Sequence, residues 1–281
     1  MDKSSRHSLQ AAGLMVFVLN FLLMFPALSQ FNDSTVLDQT GRKQRFNFTA
    51  NGVYAILETN LRFETANGLL GLRLNLEDHL GLEKYKIMPV FSGSFNIKNR
   101  HNLFGMFYSL PRSSDFQLQK DIEYNGQIIN IDTDIHTYFN INALSLGYMY
   151  DVVHDSRSHL GLFINFYILS LRSGISSNQE KLNENFKITA SLPNFGAQTY
   201  YKIHKRFGLS GIISLFFLSL DDLSGAIHTL GGQMDFYLTR WLELGVGYYM
   251  FDLNIEAYES QFTGIIDYTY QGPYLSLGFR F

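Results

Sequence analysis

Residues 274–281 read YLSLGFRF. Leu275, Leu277, Phe279 and Phe281 alternate with Ser276, Gly278 and Arg280. A period of two places the apolar side chains on one face of an extended strand and the small or charged ones on the other. The same period recurs upstream. In 53–63, Val53, Ala55, Leu57, Thr59, Leu61 and Phe63 share a face, opposed by Tyr54, Ile56, Glu58, Asn60 and Arg62. The apolar face of 87–97 carries Ile87, Phe91, Phe95 and Ile97, and that of 160–168 carries Leu160, Leu162, Ile164, Phe166 and Ile168. Phe195, Ala197 and Tyr201, then Phe207, Leu209, Ile213 and Leu215, then Leu230, Met234, Phe236 and Leu238 continue the pattern.

These alternating runs exceed the usual strand length of about 5–6 residues and reach the roughly 9–11 tilted residues that cross a bilayer. The faces opposite the apolar ones hold Gly, Ser, Asn, Gln and charges, as a polar lumen requires. Connections alternate in length. Short turns are read at Lys98–His101, His154–Ser158, His204–Arg206 and Thr239–Arg240, and longer polar ones near Arg112–Asp115, Ser176–Asn185, Asp221–Ser224 and Glu256–Gln261. In 241–257 the apolar set changes parity from Leu242, Leu244, Val246, Tyr248 and Met250 to Phe251, Leu253 and Ile255, and a similar change falls near Pro193. One inserted residue, a β-bulge, produces such a switch; the alternative is that the far ends of these strands stand above the bilayer.

Composition agrees with a membrane β-protein. Of 281 residues only 17% are charged while 15% are aromatic, with 25 Phe and 17 Tyr, against about 25% charged in soluble domains. The net charge of −3 excludes a basic nucleic-acid binder. The absence of cysteine excludes thiolate metal sites and thiol chemistry and suits an exported chain. Residues 1–29 have the form of a cleaved secretory signal: Lys3 and Arg6, the apolar run Leu14–Leu28, then Ala27 and Ser29 before Gln30. Beyond them no stretch approaches the 18 apolar residues of a membrane helix. The polar segment 30–48 is expected to be a lead-in or lumen plug, and 49–281 a barrel. Tyr148, Tyr150, Phe207, Trp241, Tyr248, Phe279 and Phe281 are placed at strand ends, as interfacial girdles require.

The terminal strand resembles the last-strand signature of Gram-negative outer-membrane β-barrels. That resemblance implies recognition of Leu275, Leu277, Phe279 and Phe281 by the barrel-assembly machinery, and contact with outer-membrane lipid and lipopolysaccharide. Leu76–Leu82 (LEDHLGL), Arg100-His101 and Gly272-Pro273-Tyr274 also resemble a family of mostly uncharacterised proteobacterial barrels, which implies no activity. The fold expected is an all-β, antiparallel up-and-down barrel of about ten strands, with twelve or eight as alternatives. The segments are 50–64, 86–98, 102–124, 127–150, 159–175, 186–203, 206–222, 225–239, 241–257 and 261–281. Segment 69–77 is an eleventh candidate, lying in a long first loop if the count is ten.

Candidate chemistry is sparse. Asp132, Asp134 and His136 would share a face near the outer rim if that stretch is one strand, as a catalytic or metal cluster or as a solvated loop base. His101, His154, His159 and His204 lie in short turns beside Lys or Arg and read as solvated turn residues. Glu58, Arg62, Lys202, Asp235, Glu243 and Arg280 fall on polar faces, and buried charges must pair, so they are assigned to a lumen charge network. Tyr54, Phe163, Tyr167, Tyr200, Phe216, Tyr237 and Tyr249 are assigned to the bore, with Gly196, Gly208, Gly245 and Gly247 making room for them. No cofactor is implied. The leading expectation is a structural or interaction barrel with a largely filled lumen; the alternatives are a narrow solute pore and a lipid or peptide hydrolase at the rim.

Overall fold

The computed structural model describes residues 45–281, except 64–72, 99, 125–126, 178–181, 220–222 and 260–261; the expected signal segment lies outside them. Among the described residues fourteen strands and one short helix follow in order: β1 Phe46–Phe63, β2 Leu74–Asn75, α1 Leu76–Leu80, β3 Tyr85–Lys98, β4 His101–Leu110, β5 Ser113–Gln117, β6 Ile122–Tyr124, β7 Gln127–Ile129, β8 Asp134–His154, β9 Ser158–Ser177, β10 Leu182–His204, β11 Phe207–Ser219, β12 Leu223–Tyr237, β13 Leu242–Glu259 and β14 Phe262–Arg280. Each wall strand pairs antiparallel with its neighbour, and β14 returns to pair with β1 from Asn47↔Arg280 to Phe63↔Gly264. The sheet is a closed ten-strand barrel. β5 continues the line of β4 along β8, β6 and β7 form a separate hairpin, and β2 adds two residues to β1. The candidate strand at 69–77 is therefore no stave: its described part is β2 and the start of α1. β1 begins at Phe46, so the last residues of the expected lead-in are already wall. The loop expected near Arg112–Asp115 is instead the junction into β5.

The parity switches are not bulges. β13 keeps one register with β12 and with β14 along its whole length, through Met250 and Phe251, and β10 keeps one register with β9 through Pro193. The surroundings change instead. Along β8 the outward side chains are Asp134, His136, Tyr138, Asn140 and Asn142, then Leu144, Leu146, Tyr148 and Tyr150; the buried inward ones are Ile135, Phe139, Ile141 and Ala143, then Ser145 and Asp151. β13 shows the same inversion: Val246 and Met250 face out below, Asp252 and Asn254 above, while Glu243 is buried below and Phe251, Leu253 and Ile255 above. The barrel has two storeys. Its short-turn half has an apolar exterior and a polar bore. Its opposite, long-loop half, which carries the connections from β1 to β3 and from β5 to β8, has a polar exterior and an apolar core, the arrangement of a protein in water. The long loops expected at Ser176–Asn185, Asp221–Ser224 and Glu256–Gln261 are instead in large part strand, with at most four residues left between β9 and β10, β11 and β12, and β13 and β14.

The true register shifts lie at the short-turn rim, between Asn96 and Lys98, Asp151 and Val153, and Lys202 and His204, where bulges commonly end pairing. Aromatic side chains mark both edges of the apolar exterior. Phe46, Tyr150, Phe207, Trp241 and Phe281 are exposed near the short turns, with Trp241 stacked on Phe279, and Tyr54, Tyr85 and Tyr248 are exposed near the storey boundary, with Tyr54 stacked on Tyr85. Tyr248 thus belongs to the upper girdle rather than the short-turn end.

Candidate functional site

The interior divides at the storey boundary. Above it, Leu57, Leu61, Leu110, Phe139, Leu169, Leu192, Leu253, Tyr268 and Tyr270 are each no more than 3% exposed. The described part of the first loop, 73–84, packs into this core. Asn75 caps α1 by accepting the Asp78 N–H at 2.8 Å, and Gly81 ends it in the left-handed region at φ 68°, where Leu82 N donates to Leu76 O at 3.1 Å. Leu76, Leu80 and Leu82 are buried, and a Cβ on Gly81 would strike the Phe116 ring at 2.5 Å. Glu77 on α1 pairs with Arg112 at 2.5 Å; Arg112 Nη2 donates to Thr59 Oγ1 at 2.6 Å, and Thr59 N donates to Glu77 Oε2 at 2.8 Å. The Arg112 guanidinium also lies 5.2 Å from the Phe139 ring centre. The sequence reading missed this pair. The spacing Asn75-x-x-Asp78 with Gly81 carried the helix signal, but nothing joined Glu77 to a residue 35 positions away.

Below the boundary is a polar chamber of about 430 Å³, lined among others by Asn47, Ser92, Asn165, Gln198, Tyr249 and Ser276. Its walls hydrogen-bond across strands: Asn165 donates to Ser145 Oγ at 2.6 Å and Asn194 to Ser214 Oγ at 2.9 Å. Three of the six charges assigned to the lumen meet near its short-turn end. Arg280 forms an ion pair with Glu243, donates to Tyr237 OH at 3.2 Å and stands 4.6 Å from that ring. Tyr237 and Tyr200 share a hydrogen bond of 2.6 Å, and Asp235 accepts from Ser210 at 3.1 Å and from Gln233. Gly208 accommodates Tyr200, Gly247 accommodates Tyr274 and Gly196 accommodates Phe163, whereas Gly245 lies against Gln233 and Gly278 makes the space for Glu243. Lys202 follows the inward parity of Tyr200, with no ion pair among the described residues. Glu58 and Arg62 are on the outer wall, because their strand turns Leu57 and Leu61 inward; Glu58 pairs with Arg73 at 3.6 Å. Tyr54 faces outward for the same reason. The apolar set of 53–63 is core, not lipid face.

Asp132, Asp134 and His136 do not form one strand face. Asp132 sits in a turn at φ 65°, and β8 starts only at Asp134. Asp134 and His136 point outward, and His136 contacts Asp115 of β5 at 2.8 Å with both groups exposed. The turn histidines behave differently from one another. His204 is exposed, and His101, also exposed, bonds Tyr148 OH at 2.6 Å. His154 and His159 turn inward around Asp151, an arrangement that the sequence reading treated as solvated turn. The C-terminal set does what its alternation indicates: Leu275, Leu277 and Phe281 are exposed on the lipid side, with Ser276 and Gly278 buried opposite.

No protein-family model matches the chain, and no curated protein matches it. Solved structures do. The outer-membrane protease OmpT of Escherichia coli superposes with a TM-score of 0.55 over 84% of this chain and 97% of its own, at 11% identity. The fold is that of an outer-membrane β-barrel. The attachment invasion locus protein Ail of Yersinia pestis aligns at TM-score 0.40 and 11% identity, over 85% of this chain and 100% of its own. The transport unit of the Escherichia coli autotransporter AIDA-I aligns at 0.43 and 7%, over 90% and 94%.

Proposed function

We propose that this chain is an integral outer-membrane barrel with a structural or interaction role, its long-loop storey standing outside the membrane and its bore closed to solutes. The observation that carries this reading is the closely packed, largely apolar upper core. A conducting pathway would have to pass Leu57, Phe139, Leu253 and Tyr268, which are at most 1% exposed, as well as α1. Burying such side chains is favourable by about 25 cal/mol per Å² of apolar surface, so the route does not open without unfolding the storey. The polar chamber beneath is a blind pocket, and the pore reading loses its upper half. The hydrolase reading has less support, since Asp132 lies in a turn before β8 and His136 meets the exposed Asp115 on the outer wall.

Within this proposal, residues 1–29 direct export, the lipid-facing Leu275, Leu277, Phe279 and Phe281 are read by the assembly machinery, and the exterior meets outer-membrane lipid and lipopolysaccharide. Planar-bilayer recording of the pure, folded protein tests the central claim. The expected result is no step conductance above the bare membrane. Large, persistently open channels would overturn it. Fractionation with the outer membrane, and a folded band that shifts on heating, test the membrane placement separately.

A further inference from the structure

Asp151, His154 and His159 converge at the short-turn mouth of the bore. Each offers one ligand atom, and the three lie within 4.8 Å of one another. His154 Nδ1 is 3.1 Å from Asp151 Oδ2, and His159 Nδ1 is 3.9 Å from the same oxygen. The two imidazoles pack edge to face at 4.5 Å. None of the three is a free surface group: the side chains are 6%, 17% and 22% exposed. The fold builds this place. After the register shift between Asp151 and Val153 the β8–β9 pairing resumes and makes His154 and His159 direct partners, and Asp155 tightens the turn by accepting from the N–H groups of Arg157 and Ser158 at 2.8 and 2.6 Å. The tight turn thereby sets His159 beside His154.

We propose that Asp151, His154 and His159 form a binding site for a divalent transition-metal ion, zinc foremost, at the periplasmic mouth of the barrel. Two imidazole nitrogens and one carboxylate oxygen are the donors that zinc accepts, and they match the two-histidine, one-carboxylate pattern of open transition-metal sites. Calcium and magnesium call for oxygen ligands throughout. With bonds of about 2.0–2.1 Å, tetrahedral donors stand about 3.3 Å apart, so the His154–Asp151 spacing already fits, and side-chain rotation has to bring His159, 3.9 Å from Asp151 Oδ2 and within 4.8 Å of the His154 ligand atom, closer to both. A supporting layer is present. Asn102 donates to Asp151 Oδ2 at 3.2 Å, and Asn96 fixes the Asn102 amide by donating to its Oδ1 at 3.0 Å. Such outer partners orient ligands and set metal affinity. The side chain of the nearby Arg100 is engaged by the Val152 carbonyl at 3.2 Å. Three protein donors leave a coordination position for water.

The test uses the full barrel, folded in detergent, stripped with a chelator and titrated with zinc against a chromophoric competitor, then with cobalt as a visible-absorption reporter. One zinc per chain is expected, with cobalt bands of low-coordinate, nitrogen-ligated metal. The double variant His154→Ala/His159→Ala should lose binding, Asp151→Asn should weaken it, and Asn102→Ala should lower affinity by about 10–100-fold. His204→Ala, in the neighbouring turn, should bind like the native chain. A heat-modifiable band checks that each variant is folded; if the double variant fails this, Asp151→Asn and Asn102→Ala decide. Failure of the native barrel to compete for zinc, or equal zinc binding by the native chain and the folded site variants, overturns the proposal. Neither result bears on conductance, so this site and the closed bore stand or fall separately.

Discussion

Arg112 is the largest fully buried side chain among the described residues. Its charge is tolerable only because Glu77, Thr59 and the Phe139 face surround it, and the pair pins α1 into the barrel mouth. Removing one partner strands the other, which typically costs about 3–5 kcal/mol, while an apolar replacement of both is often neutral or stabilising. Arg112→Ala should therefore destabilise the upper storey strongly, and Glu77→Leu/Arg112→Leu should recover most of the loss. Urea unfolding in micelles measures both. A second residue on the same helix gives it a pH response. Burial, then the neighbouring Lys120, lowers the pKa of His79 below 6.5, while Asp78 opposes them. His79 Nδ1 accepts the Asn75 N–H at 3.2 Å, a role that protonation removes. A lowered histidine pKa contributes stability that is present above the unfolded value and is lost as pH falls through the folded one. The protection factors of amides 74–82, corrected for the intrinsic pH dependence of exchange, should fall when pH drops from 7.5 to 5.5, and His79→Gln should flatten that response.

At the scale of the element, β13 shows what alternation can and cannot say. The period of two was legible, and it grouped Val246 with Met250 and Leu253 with Ile255 correctly. It did not reveal which group faced inward, because hydrocarbon and a dry protein core reward the same side chains. A bulge explained the change of parity equally well until the register with β12 and β14 proved continuous. The same ambiguity misplaced Glu58 and Arg62, whereas Asp235, Glu243 and Arg280, below the boundary, line the chamber. One outward face of β13 therefore makes two opposite predictions. Val246→Arg should cost about 2–4 kcal/mol, the range for a cation at the midplane on the lipid side. Asn254→Arg, eight residues along on the same side, should stay within about 0.5 kcal/mol as an ordinary surface change. Folding titrations in vesicles measure both; equal penalties would mean that the storey boundary is misplaced.

For the whole molecule, the ten staves and the lipid-facing terminal strand were legible because both depend on local alternation and turn spacing. The seating of α1 on Arg112 and the Asp151–His154–His159 cluster were not, because each depends on which residues the closed wall and its turns bring together. The inversion itself fixes more than which side chains touch. On β13 the outward apolar residues run from Leu242 to Met250 and stop at Asp252; on β8 they run from Leu144 to Tyr150 and stop at Asn142. Eight rises of about 3.4 Å, at a tilt of about 35–45°, cover roughly 20 Å along the membrane normal. The barrel thus carries a depth gauge. Sinking deeper would draw Asp252, Asn254 and Asn142 into hydrocarbon, and riding higher would bare Val246 and Leu146 to water, so thickness mismatch has to be met by the lipid. Short-chain bilayers should accept the chain readily. Refolding yield is expected to fall steadily as acyl length rises from twelve to twenty carbons, and a yield independent of chain length would show that the gauge is not read.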